Sequence, residues 1–220
     1  MKTTIISLFL IMATVFVYSQ TEQDYMMIMV KQKKAFKMAQ TEKDFQDLAN
    51  SFERIANTET DKWHPLYYAA FCYINLSFVS EGSDKKDSYL DKAQTFIDKA
   101  IEIYPEESEL FVLQGLLYQG RIQIDPETRG RNYSMKAGEA LNQAKKFNPD
   151  NPRAYYLLGM NVLHIPEAFG GGIKAACPLF KTAMEKYRTT VPDHVLSPTW
   201  GGEQNQQQYA QNCGKKNSDF

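Results

Sequence analysis

The 220-residue chain is poor in the residues from which recognisable active sites are built. Three cysteines and three histidines are too few for a disulfide scaffold or a zinc ribbon. His64, His164 and His194 share no metal-ligand spacing. There is no G-x-S-x-G elbow, no H-E-x-x-H and no Walker sequence, so neither an enzyme activity nor a metal or cofactor is expected. Charge of one sign is also lacking: 25 Lys and Arg stand against 26 Asp and Glu, for a formal net charge of −1. Phosphate binding needs a clear basic excess, which argues against nucleic acid as a partner. No sustained alternation of apolar and polar residues suggests strands, and no apolar run reaches the ~20 residues of a membrane-spanning helix. What is present is 43% hydrophobic and 23% charged residues, enough to bury a core in one domain or a short repeat array.

The first 19 residues read as an export signal. Met1-Lys2 gives a positive start, Ile5 to Val17 is predominantly apolar, and Val17-Tyr18-Ser19 offers small or compact residues where a signal peptidase reads. The run of about 13 residues fits the ~7–15 of a signal h-region. Cleavage is expected near Ser19/Gln20, leaving an exported chain, periplasmic or secreted, with no stable membrane insertion.

From Gln23 onward apolar residues recur at three- and four-residue spacing, helix after helix. One set of offsets repeats. Ala93-x3-Ile97-x2-Ala100-x4-Pro105 returns as Ala137-x3-Leu141-x2-Ala144-x4-Pro149. Ala176-x3-Phe180-x2-Ala183 keeps the face without the proline, and Leu48-x3-Phe52-x2-Ile55 is a degenerate first copy. Ten residues after Thr60, which stands at the stop position of the first copy, Pro105 and Pro149 comes a small residue in an apolar helix: Ala70, Gly115 and Gly159. Small residues there let two helices approach closely while larger neighbours fill the groove beside them.

These offsets resemble the W-x2-L-G-x2-Y…A-x3-F…P pattern of the tetratricopeptide repeat family, over roughly 23–188. The resemblance implies an all-α, right-handed solenoid of antiparallel helix pairs with a C-terminal capping helix. Pairs are expected near 23–39 with 42–57, 62–79 with 87–104, 107–124 with 132–147, and 151–164 with 172–187, and a cap near 202–212. The domain reading is a signal peptide over 1–19, a repeat domain over 20–190, a cap over 191–213 and a flexible tail over 214–220. One departure stands out. Pro105 and Pro149 are 44 residues apart, against a family period of 34, and the excess falls between the two helices of a repeat.

Two surfaces are candidates for function. In the resembled family the first helices of each pair line a concave groove, which here would present His64, Tyr67, Phe71, Val112, Leu116, Gln119, Arg153, Tyr156, Met160 and His164. Such an aromatic, Met-containing groove suits an apolar protein or peptide partner, the first functional expectation. The second surface is the edge from which the insertions leave: Ser80 to Asp87, Asp125 to Arg131, and Ile165 to Gly172. There Arg129 and Arg131, with Phe169, Gly170, Gly171 and Gly172, form either a small anionic ligand-binding or enzymatic site or plain connecting turns. A self-associating envelope protein is the third reading. Cys177 and Cys213 are a candidate disulfide if the cap folds back, and the odd count leaves Cys72 as a buried thiol.

Overall fold

A computed structural model describes residues 22–214; the expected signal peptide and the end of the tail lie outside the described residues. These residues form nine α-helices and one 3-10 turn, with no strand. The helices are α1 (22–36), α2 (Glu42–Thr58), α3 (Trp63–Val79), α4 (Ser83–Ile103), α5 (Ser108–Ile124), α6 (Pro126–Phe147), α7 (Pro152–Leu163), α8 (Ile173–Thr189) and α9 (Gly202–Asn212). From α2 onward each packs against the next, and alternate helices α3, α5 and α7 also touch along one side. The fold is therefore a tetratricopeptide-like stack of helix pairs.

Local chemistry sets the boundaries. Thr41 and Asp44 form a reciprocal capping box at the start of α2, and Asn151 caps α7 ahead of Pro152 in its first turn. Both devices satisfy backbone N–H groups that a helix leaves open. The repeated offsets mark the core: Ala93, Ile97, Ala100, Ala137, Leu141, Ala144, Ala176, Phe180 and Ala183 are all fully buried. The small residues mark the contacts. A Cβ on Gly115 would stand 2.6 Å from Leu141 Cγ, and one on Gly159 would stand 2.5 Å from Phe180 Cε1. Leu141 and Phe180 are the large members of the two offset sets, so glycine and large side chain interlock between paired helices.

The excess length is taken up differently from a set of loops. α4 begins at Ser83 and α6 at Pro126, four and six residues before the expected starts. Asp125 accepts from Thr128 N at 3.1 Å, with Pro126 in the first turn, so the stretch read as a connecting turn is the start of a helix. Apart from 80–82, only 164–172 stays irregular among the three insertion stretches, around the 3-10 turn Glu167–Phe169.

After α8 the chain runs as an irregular strap back over the concave side. Tyr68 Oη donates to Leu196 O (2.8 Å), and Trp200 Nε1 donates to Tyr67 Oη (2.8 Å). Lys33 Nζ donates to Val195 O and Ser197 O at 2.7 and 2.6 Å. The rings of Phe71 and Trp200 lie 5.1 Å apart. α9 then docks on α8, where Asn205 Nδ2 donates to Phe180 O (3.0 Å) and Cys177 is bonded to Cys213. Cys72 is a free, buried thiol.

The interlock predicts opposite signs for two glycine-to-alanine changes in helices. Gly115→Ala should destabilise by about 1–3 kcal/mol through overpacking against Leu141. Gly130→Ala, where a Cβ meets nothing within 4 Å, should be neutral or stabilising by up to ~1 kcal/mol. Urea unfolding of the two variants checks both.

Candidate functional site

The strap decides which part of the expected groove is accessible. Tyr67 is fully buried and Phe71 nearly so, both against Trp200. Val112 is core, packed with Leu141 and Ala154, and Leu116 packs at its margin. Arg153 is not presented to a partner. It forms a buried ion pair with Glu109 (Nη2–Oε1 2.7 Å, Nε–Oε2 2.8 Å), and Asn151 Nδ2 also donates to Glu109 Oε1 at 2.7 Å. Tyr156 packs beside Phe180. The expected open aromatic groove is thus filled over this half by the chain's own strap, whose Leu196 and Trp200 provide the apolar contact a peptide partner would have made.

At the strap's entry His64 stacks on Trp63 (4.0 Å between centroids) and faces His194 at 5.1 Å. Burial and then the neighbouring His194 push the His64 pKa down to about 4, partly opposed by Asp193, with Lys33 and Lys62 adding smaller downward pushes. The ring is therefore neutral in the fold at pH 7.

The other half of the groove stays open and merges with the insertion edge in one cleft of about 850 Å³, within the ~300–1,000 Å³ of small-molecule sites. Gln119, Ile122 and Gln123 on α5 form one wall. Pro126, Gly130 with Arg131, and Ser134 with Met135, one turn apart along the start of α6, form the second. Met160, Asn161 and His164 at the end of α7, with Ile165, Pro166 and Phe169, close the third side. The early start of α6 and the 164–172 loop thus supply half of the lining residues.

Two polar wall groups are already engaged. Gln119 Nε2 donates to Leu157 O (2.8 Å) and Asn161 Nδ2 to Ser134 O (3.0 Å), tying α5 and α6 to α7. What faces the cleft is chiefly apolar, and two of its side chains are left unusually bare: Phe169 is 82% and Met135 58% exposed.

The glycine run is a turn and not an anion cradle. Its amides donate inward: Gly170 N to Glu167 O (2.9 Å), Gly171 N to Pro166 O (3.3 Å) and Gly172 N to Val162 O (2.9 Å). Gly170 and Gly172 have φ of 82° and 85°, values that L side chains rarely adopt. A Cβ on Gly171 would stand 2.2 Å from Ile165 O. The turn therefore fixes Phe169 at the rim.

Arg129 is likewise structural. Its Nη1 and Nη2 donate to the two oxygens of Asp87 at 2.7 and 2.8 Å, and Arg121 donates to Asp87 and Asp91. With Arg129 as the first cause, these contacts hold the Asp87 carboxyl below its usual range. Asp87, missed in the sequence, clamps the extended starts of α4 and α6 to the end of α5.

Neither a scan of protein-family models nor a search of curated proteins finds a match. Among solved structures, the fold is similar to the HusA haemophore from Porphyromonas gingivalis, with 26% identity and a TM-score of 0.79 over 89% of this chain and 97% of that one. It is also similar to a thermophilic TPR protein from Thermus thermophilus, with 16% identity and a TM-score of 0.56 over 89% and 94% of the two chains. The second likeness bears on the fold alone.

Unfolding releases His64 to the ordinary histidine pKa near 6.5, so between pH 6.5 and 4 the unfolded chain binds the extra proton. Its contribution is present above pH 6.5 and is lost as pH falls toward 4. Stability should drop by about 2 kcal/mol between pH 7 and pH 5 from this group. His64→Gln should flatten that part of the profile, read from urea midpoints at the two pH values.

Proposed function

We propose that the chain is an exported, non-catalytic binding protein that holds a flat, largely apolar small molecule of the porphyrin class in the cleft between α5, α6 and α7. The observation that carries this is the cleft itself: an apolar space bounded by adaptable methionines and overhung by an exposed phenylalanine ring fixed in a rigid turn. Leaving Phe169 in water is unfavourable for an isolated chain. Stacking it on a planar ligand removes that cost and uses the ring's preferred geometry. The likeness to a haemophore supports the same ligand class. The wall also carries donor types that haem iron accepts, Met160 near the end of α7 and His164 at its C-cap, four residues apart. Haem in this reading is cargo and not a resident cofactor.

Support for export comes from the positively started apolar run at the N-terminus and from the Cys177–Cys213 bond, which suits an oxidising compartment. No helix among the described residues is long and apolar enough to cross a membrane. The protein-scaffold reading rests on the fold, and a peptide entering the groove at Tyr67 and Phe71 would first have to displace the strap.

The test is a titration of haemin and of metal-free protoporphyrin IX, followed by absorbance. A saturable change with one site per chain is expected. Gly130→Leu projects a side chain into open space at the cleft wall, so it should weaken binding at least tenfold without lowering the melting temperature. Phe169→Ala should weaken it several-fold. The absence of saturable binding, or Gly130→Leu binding like the unsubstituted protein, would contradict the proposal.

A further inference from the structure

We infer that Arg131 is the carboxylate anchor of the cleft, and that it selects ligands in which an apolar plane ends in an acid group; this rests on the cleft reading above. Three arginines cluster where α5 meets α6, and two are committed to the fold. Arg129 forks onto Asp87, and Arg121 is held by Asp87 and Asp91. Glu127, the carboxylate nearest in sequence and one turn back on α6, makes no ion pair with Arg131, and Asp125, the N-cap of α6, is occupied in capping Thr128. Arg131 lines the cleft, yet among the described residues it has neither an ion-pair partner nor a hydrogen bond. An arginine offers five donors in a fixed fork that matches a carboxylate. The amide donors of Gln119 and Asn161 already point to backbone carbonyls, so Arg131 is the one permanently charged side chain in a chiefly apolar lining.

The surroundings give this charge a direction. The wall opposite is the C-terminal end of α7, the partially negative end of that helix dipole. The α6 wall belongs to the first turns of a helix, whose dipole favours an anion. An amphipathic acid entering the cleft therefore places its carboxylate on the α6 side and its apolar body between Met160, Ile165 and Phe169. Arg131 sits at the exposed rim, so the attraction is partly screened by solvent and weakens with salt.

The experiment compares protoporphyrin IX with its dimethyl ester, which keeps the macrocycle and removes both charges, against the unsubstituted protein, Arg131→Gln, Arg131→Lys and the control Lys174→Gln. At low ionic strength the diacid should bind the unsubstituted protein about five- to tenfold more tightly than the ester. Arg131→Gln should bring the ratio close to one while leaving ester affinity unchanged, Arg131→Lys should restore part of it, and Lys174→Gln should behave as the unsubstituted protein. Raising the salt to 0.5 M should compress the ratio in the unsubstituted protein. If both porphyrins bind and the ratio is the same in Arg131→Gln, or is already one in the unsubstituted protein, the anchor is overturned and the cleft reading stands. If neither porphyrin binds, both fall.

Discussion

The interlock of a bare helix backbone with a large side chain, Gly115 on Leu141 and Gly159 on Phe180, is the contact on which the rest of this structure depends. It sets how closely α5 approaches α6 and α7 approaches α8. The stack keeps alternate helices in register along the concave side, and the ends of α5 and α7 and the start of α6 then converge. An ordinary side chain at either glycine would push a helix pair apart and, with it, the walls of the cleft.

The cleft is a product of extra length on that fixed frame. A repeat longer than the family period has to place its surplus residues somewhere, and here the surplus is helical at the start of α4 and of α6. Helix that overhangs its partner loses packing contacts and needs another tether. Asp87 supplies it, reaching from the α4 extension to Arg129 in the α6 extension and to Arg121 at the end of α5. The third surplus stretch follows α7 and closes as a turn whose amides are bonded inward. A pair of structural arginines and a rigid glycine turn thus hold an apolar space open, while the strap fills the groove beside it.

The sequence carried the repeat with unusual clarity, because close packing restricts identity at a few positions and those positions recur. The alanines of the two full offset sets, the glycines that face them and most helix ends followed from spacing alone. The starts of α4 and α6 did not. Asp125-Pro126 has the chemistry of a helix cap and of a turn alike, and the family pattern placed the helix later. The strap was less legible still. Its contacts with Lys33, Tyr67 and Tyr68 join residues more than a hundred positions apart, and an irregular segment has no periodicity to betray which surface it covers. In the sequence the candidate site therefore falls on two separate surfaces. Packing buried one end of the groove and joined its other end, at Gln119, Met160 and His164, to Arg131 and Phe169 of the insertion edge.

The central claim is that the ligand surface lies in the space built by the surplus residues and not in the groove under the strap. Amide and methyl chemical-shift mapping during a protoporphyrin titration addresses it directly. The account predicts perturbations clustered on Ile122, Gly130, Met135, Met160, Ile165 and Phe169, with Tyr67, Phe71 and Leu196 unmoved. Perturbations centred on α1, α3 and the strap, with the cleft silent, would contradict it.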